Sequence, residues 1–346
     1  MVFLYKEVNP LTVRQIAELA KVSPATVSLV LNNKPGVSAQ RRREIQKLLE
    51  DNGFTIKSRA AKPAPLKQLY IVKCRILNEK DEFSIGLIDS IEEYANKAGY
   101  TVSILNIDKN TYEQKLSLLD YSLICGIIFF ASEMPEDCLN YTLRTPVPTV
   151  YVDVFSDYHA INTVNADQRL ISTIAAQHLF NLGHRKIGYL KSSPERGYLD
   201  QRFCYFKAAL TRLGAELMPD CIFNINLLAD NLDELILEAF RNIKDFPTAV
   251  FAESDVIAAS CIHVLTNMGF SIPEDISVMA VDNTKICTIT TPKLTSIDVN
   301  THELGRLAFE RIAQLIEDPG RPVLHSYVTP FLARRGSTAN AKTGPS

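Results

Sequence analysis

The chain has 346 residues, 46% hydrophobic and 22% charged, with a formal net charge of −2; this places it among soluble globular proteins and asks for more than one domain. Its longest apolar run, 123–131, is about half the ~20 residues a membrane span needs, and the opening "MVFLYKEVNP" carries no basic stretch of a signal peptide. The charge is uneven: residues 1–62 hold eleven Lys/Arg against five acids, a net of +6, which leaves −8 for the rest, so a polyanion is expected to meet only the head.

The head reads as three short helices. Thr12 and Gln15 form a capping-box pattern before a first helix with Ile16, Ala17 and Ala20 inward. Ser23 is an N-cap and Pro24 a first helical residue of a second helix, so Ser-Pro restarts the chain, with Val27, Val30 and Leu31 inward. Asn32 to Gly36 ends it, and Ser38 caps a third helix that runs to Asn52, with Ile45, Leu48 and Leu49 inward and Gly53 at its C-terminal cap. Two helices around a tight turn, braced by a third, predict a helix-turn-helix whose second helix presents Pro24, Ala25, Ser28 and Leu29. Ala25 and Leu29 suit thymine methyls; Ser23, Thr26 and Ser28 suit phosphates or base edges, and Thr12, Asn32 and Arg59 complete the candidate DNA contacts.

The stretch "LTVRQIAELAKVSPATVSLVLNNKPGVSAQRRREIQKLLEDNGF" resembles the DNA-binding head of the lactose-repressor-like (LacI/GalR) regulators. That resemblance puts Pro24, Ala25 and Leu29 at base-reading positions, with an apolar Leu29 where the family often has Arg or His. The family continues into a hinge helix ending in a minor-groove Leu wedge. Here Pro63 occupies that slot and Pro65 follows, so the segment is either a helix reaching Lys62 at most or a semi-rigid Pro-Ala linker.

From Gln68 onward, short apolar runs ("QLYIVKC", "TVSIL", "CGIIFFA", "PTVYVD", "NTVNAD", "KIGYLK", "TAVFAE", "DISVMAVD") alternate with amphipathic stretches at 83–98, 112–119, 168–182, 199–213, 232–243 and 255–268. Such alternation predicts parallel sheets with helices on both faces. The same region resembles the family's effector-binding core, which has a periplasmic-binding-protein-like fold. It implies an all-α head at 1–56, a hinge at 57–67 and a two-lobed α/β core at 68–338, followed by a disordered tail at 339–346. Lobe 1 is expected at about 68–160 and 295–321, and lobe 2 at about 161–294 and 322–338. Matched positions imply effector contacts from Phe83, Arg202, Ser254, Asp255 and Asp282. Departures are Cys125 for an acid, Tyr205 for Gly and Ser254 for Asn; with no tryptophan in the chain, ring stacking falls to Phe or Tyr.

Seven scattered cysteines without a C-x-x-C pair point to reduced thiols in the cytoplasm rather than to a zinc site. "HELGR" at 302–306 has Arg306 where a second zinc-binding His must stand. His184 reads as a helix C-terminal cap, and no nucleotide loop or serine elbow is present. The expected protein is therefore not an enzyme and takes no metal or cofactor. It is a cytoplasmic homodimeric regulator, a repressor, on a near-palindromic operator, controlled by a small polar effector for which a sugar is one candidate class. The competing expectation is a ligand-sensing module that acts through protein partners.

Overall fold

The computed structural model describes residues 11–342, except 33, 35, 53, 55–66, 75–81, 133, 155, 157, 194–196 and 228. Arg59, Gly53 and the expected hinge before Lys67 lie outside the described residues. The chain divides into two units, Met1–Leu66 and Lys67–Ser346.

In the first unit, α1 spans Val13–Leu19, α2 Pro24–Leu31 and α3 Ala39–Asp51. Each starts on a hydroxyl cap: Thr12 accepts from the Gln15 N–H in a complete capping box, Ser23 from Thr26, and Ser38 from Arg41. These caps satisfy donors that a short helix otherwise leaves open, and α2, at eight residues, is too short to hold itself in water. Packing does the rest: Ile16, Ala17, Ala20, Val27, Val30, Ile45 and Leu49 are buried together. Lys21, in the turn between α1 and α2, has a left-handed backbone with φ 50°.

The second unit contains two six-stranded sheets. The first is built from β1 (Lys67–Cys74), β2 (Tyr100–Ile107), β3 (Ile124–Phe130), β4 (Thr149–Val152), β5 (Thr163–Ala166) and β11 (His325–Val328). Its order is β11-β5-β4-β3-β1-β2 and every pair is parallel. The second contains β6 (Lys186–Ser193), β7 (Glu216–Asn226), β8 (Ala249–Ala252), β9 (Ser277–Val281), β10 (Thr295–Asp298) and β12 (Phe331–Ala333). Its order is β12-β10-β9-β8-β6-β7, parallel except for β12 against β10.

Helices α4 (Glu82–Lys97), α5 (Tyr112–Ser117), α6 (Glu136–Thr142), α7 (Gln168–Asn181), α8 (Gly197–Leu213), α9 (Leu232–Arg241), α10 (Asp255–Asn267), α11 (Ile286–Ile289) and α12 (Thr301–Glu317) connect the strands. One apolar cluster lines a face of both sheets, and each opposite face has its own. Strands covered on both sides read as continuous apolar runs, which is why "CGIIFF" and "AVFA" stood out in the sequence. Helices α4 and α12 pack closely because Gly305 has no side chain: a Cβ there would stand 2.5 Å from Ser90.

The sheets divide the chain differently from the expected lobe boundaries. Residues 163–166, expected in lobe 2, join the first sheet; 295–298, expected in lobe 1, join the second; and 325–328, expected in lobe 2, return to the first. These strands have four residues each, and their partners lie far away, as with Tyr327 opposite Asn165; periodicity within four residues carries no information about which sheet they enter. Strand β7 went unread because Pro219 and Asp220 interrupt it; it lies at the sheet edge, where proline is tolerated.

The expected loose tail also needs correction as far as residue 342. Ala339 donates its N–H to Ser277 Oγ at 3.0 Å, the Ala341 N–H reaches the Leu182 carbonyl at 2.7 Å, and Lys342 pairs with Asp275 at 2.6 Å. His184 is not an exposed helix cap. Only 2% accessible, it bonds Thr248, Ser277 and the Ala339 carbonyl, and burial lowers its pKa.

Candidate DNA interface and effector cleft

On α2, the inward face is Val27 and Val30, and the side chains of Pro24, Ala25 and Ser28 are exposed. The hydroxyls of Ser23 and Thr26 meet at 2.9 Å at the leading end of the helix, beside the N–H groups whose dipoles favour an anion. Asn32 folds back, its amide donating to the Ser28 carbonyl at 2.9 Å. Leu29 is only half exposed: its Cδ1 lies 3.6 Å from where a Cβ on Gly36 would be, so the leucine rests on the glycine turn. Thr12 sits at the exposed start of α1, committed to Gln15. The leading turn of α2 is thus a small, uncharged, solvent-facing edge, which lets backbone approach base edges in a major groove.

In the core, parallel strands turn their C-terminal ends toward the region where open α/β sheets bind ligands. Three residues immediately after strands there adopt left-handed backbone: Asp153 after β4 (φ 57°), and Asp282 and Asn283 after β9 (φ 107° and 53°). Non-glycine residues in that region cost on the order of 1–3 kcal/mol and persist where their surroundings hold them. The Asn165 amide holds the first turn, accepting from the Val154 N–H at 3.0 Å and donating to the Val154 carbonyl at 2.8 Å.

Around Asp282 the restraint is denser. Its N–H reaches the Ile297 carbonyl at 2.9 Å; Asn283 donates to Asp298 at 2.6 Å and accepts from Arg335 at 2.6 Å. Asp255, 1% accessible, accepts from the Thr284 N–H at 2.6 Å, the Thr284 hydroxyl at 2.9 Å and Ser296 at 2.6 Å. Burial raises the Asp255 pKa, opposed by these hydrogen bonds. Asp255 is therefore spent on positioning the turn that carries Asp282. Ser254 caps α10, accepting from Ile257 at 3.3 Å.

Arg202 is 3% accessible. Its Nε donates to Gln168 at 2.8 Å, its Nη1 to the Glu253 carbonyl at 2.8 Å, and its own carbonyl accepts from Ser172. Glu253, which sequence reasoning missed, is the acid at the centre of this cluster: its carboxylate accepts from Tyr189 at 2.7 Å and from the Ser192 N–H at 2.6 Å. Burial pushes its pKa up to about 7, against the pull of Arg202. The available signal was the tetrad "FAES", an acid directly after an all-buried strand. Phe83 is half-buried and meets the Phe130 ring at 6.0 Å, with the buried Lys73 ammonium 5.2 Å from the same ring.

A cavity of about 260 Å³ opens where the chain crosses from β5 into α7, lined by Asp153, Asp167, Gln168, Gln201, Tyr205 and Tyr327 among others. None of the expected effector residues lines it directly. Arg202 stands behind it through Gln168; Phe83 lies in the first turn of α4, Ser254 and Asp255 follow β8, and Asp282 follows β9.

A helical head that exposes a recognition helix, followed by a two-sheet α/β core with strained polar turns and a cavity at its crossover, defines a DNA-binding regulator with a ligand-binding core. Residues 12–55 match the family described as bacterial regulatory proteins, lacI family, and residues 176–338 match the periplasmic binding protein-like domain. The chain thus joins a lacI-family region at 12–55 to a periplasmic binding protein-like region at 176–338.

It is 25% identical to the HTH-type transcriptional repressor PurR of Photobacterium profundum over 310 residues, covering 89% of this chain and 92% of that one. It is 27% identical to catabolite control protein A of Priestia megaterium, covering 88% and 92%, and 25% identical to the ribose operon repressor of Haemophilus influenzae, covering 96% and 99%. The fold is similar to that of the transcriptional regulator CelR–cellobiose complex (TM-score 0.71, 20% identity, 94% and 99% covered). It is equally similar to the lac repressor dimer bound to operator and an anti-inducer (TM-score 0.70, 22% identity, 96% and 100% covered).

Proposed function

We propose that the protein is a cytoplasmic repressor that works as a homodimer, its two heads on successive half-sites of a near-palindromic operator and a small polar effector between the two sheets of each core. The observation that carries this reading is the leading turn of α2, where Pro24, Ala25 and Ser28 face solvent and the Ser23–Thr26 pair caps the entering end. Pro24, Ala25 and Leu29 read bases, while Thr12, Ser23, Thr26, Ser28, Asn32 and Arg59 contact phosphates or base edges. The hinge at 57–67 links head to core. The regulator named for PurR is a repressor and CelR is seen with cellobiose; both support a repressor with a small-molecule effector.

Effector control acts by differential affinity: the ligand must favour one arrangement of the two sheets, and operator binding must alter ligand affinity by the same factor. Asp282 and Arg202, the first on a restrained turn and the second behind the cavity, are assigned to effector recognition, with Asp255 positioning Asp282 and Phe83 and Ser254 at the rim. For the dimer, exposed Ile85 on α4 and Ile104 on the edge strand β2, 48% and 50% accessible, supply apolar surface that calls for a cover.

Footprinting at physiological salt tests the reading. A protected palindrome whose affinity falls steeply with salt is expected, with a log–log slope near −0.9 per phosphate contacted; no protected site, or salt-insensitive binding, would leave only a sensor that acts through protein contacts. Ile104→Asp is expected to yield monomers in sedimentation and to lose the paired footprint.

A further inference from the structure

The stretch "PATVSLVL" that forms α2 contains no charged and no amide side chain. Its solvent side is made of Pro24, Ala25, Ser28 and the open half of Leu29, which is apolar apart from one hydroxyl. Residues four apart on a helix stand one above the other, so Ala25 and Leu29 form one column and Pro24 and Ser28 the column beside it. The hydroxyl is engaged: Ser28 Oγ accepts from the Asn32 amide at 3.3 Å, and the Ser28 carbonyl accepts from the same amide at 2.9 Å. Asn32, the amide described in the turn after α2, is spent on that contact. Leu29 is held in place, its Cδ1 against the Gly36 turn (φ 112°) and its carbonyl accepting the Lys34 N–H at 2.8 Å. Among the described residues next to α2, the exposed cations stand at the flanks, Lys21 before the helix and Lys34 after it.

Guanine and adenine are read by Arg, Lys, Asn and Gln, which bond two atoms of a base edge at once. The exposed side of α2 offers none of these. What an apolar side chain detects in the major groove is the C5-methyl group of thymine. We propose that Ala25 and Leu29 select DNA by its C5-methyl groups, so that the head prefers thymine to cytosine, and 5-methylcytosine to cytosine, at the pairs they meet. Cytosine methylation at those pairs then strengthens binding. Four residues rise about 6 Å along a helix, close to two base-pair steps of about 3.4 Å. Two methyl-sensitive positions are therefore expected within two steps of each other in each half-site. The flanking lysines add attraction to phosphates, which carries no sequence information. The inference rests on the reading of this head as operator-binding and names the chemical feature that it reads.

The test uses the full-length protein and the duplex that it enriches from a random pool at physiological salt. Each thymine of that duplex is replaced in turn by uracil, which keeps every hydrogen-bonding atom and removes only the methyl group. Two positions per half-site, at most two steps apart, are expected to weaken binding by about fourfold each, the scale of one buried methyl group. Thymines elsewhere stay within about 1.5-fold. Cytosine at a sensitive position binds more weakly than thymine, and 5-methylcytosine recovers about fourfold over cytosine. Leu29→Ala and Leu29→Gln are each expected to bind thymine and uracil duplexes equally at one of the two positions, a coupling of about fourfold between residue and methyl group. Leu29→Met, with an apolar tip, retains the preference. A variant that merely damages the head loses affinity for both duplexes alike, and thermal melts identify it. No methyl-sensitive position, indifference to 5-methylcytosine, or methyl sensitivity that persists in both Leu29→Ala and Leu29→Gln overturns the proposal and leaves the operator-binding reading intact. Enrichment of no sequence removes that reading and the proposal with it.

Discussion

The head and the core solve the same problem, presenting polar groups to a partner, in opposite ways. In the head the fold is carried by Ile16, Val27, Val30, Ile45 and Leu49 on the inside, and Pro24, Ala25 and Ser28 on the outside carry almost none of it. In the core, Arg202, Asp255 and Glu253 are all at most 3% accessible, and each serves both the stability of a strand end and the geometry of a site. Function is separable from stability where it sits on one face of a helix. It is inseparable where it sits at the meeting of strand ends.

The largest expected effect follows from that inseparability. Arg202→Ala strands the Glu253 carboxylate in the interior, and removing one member of a buried charged cluster costs about 3–5 kcal/mol. Urea denaturation at pH 8 should show it, together with any loss of ligand. The pH dependence is the sharper signature. Glu253 titrates at about 7 in the fold against 4.5 when exposed. A raised carboxyl pKa means that the folded state holds the proton more tightly, so its stabilising share is full below about pH 4.5 and is lost as pH rises through about 7. Arg202 pulls that pKa down; without it the value climbs, the loss with rising pH steepens, and the variant's deficit shrinks toward pH 5. Glu253→Gln should flatten stability across this window. A deficit in Arg202→Ala that does not vary with pH would break the link between the two residues.

Next in size is a change that separates fold from function in the head. Ala25→Glu places an acid in the first turn of α2, where the helix dipole favours it by about 0.3–1 kcal/mol, yet on the proposed DNA-facing edge it would meet phosphates. Head stability is expected to hold or rise while operator affinity drops by about tenfold or more in a gel-shift titration. A parallel fall in both would show that the leading turn is part of the fold after all. Ser23→Ala is smaller and couples the two: it removes the acceptor for the Thr26 N–H at 3.1 Å and should cost about 1 kcal/mol of head stability by thermal melt.

The same contrast governs what was legible in the sequence. Caps at Thr12, Ser23 and Ser38 and the apolar spacing of α1–α3 are local signals, and each helix starts where its cap predicts. Leu29 departs because its neighbour Gly36 approaches through a turn that no helical period describes. In the core, the alternation of strands and helices announced parallel sheets, and six long helical stretches are found within about two residues of their expected ends. What escaped are contacts between residues far apart in sequence. Glu253 meets Tyr189 across 64 positions, and His184 meets Ala339 across 155. Composition and period are blind to such pairs. Asp255 was legible as a polar residue at a strand end, but only the positions of Thr284 and Ser296 reveal that it braces a turn.

The smallest effect distinguishes the two regions most finely. Lys21 holds φ 50° in the turn between α1 and α2, a conformation that costs a β-carbon-bearing residue roughly 1 kcal/mol and glycine almost nothing. Lys21→Gly therefore relieves the folded head, although glycine's greater freedom in the unfolded chain returns part of the gain. The net expectation is a rise of about 0.5 kcal/mol in head stability, read as an upward shift of its melt. Lysine's presence in a strained place is explained if its ammonium meets a phosphate. The operator titration should then show a log–log salt slope smaller by about 0.9 than that of the unchanged protein. A stability gain with an unchanged slope would assign the lysine no role on DNA, and a stability loss would mean that its side chain, rather than its backbone, holds the turn.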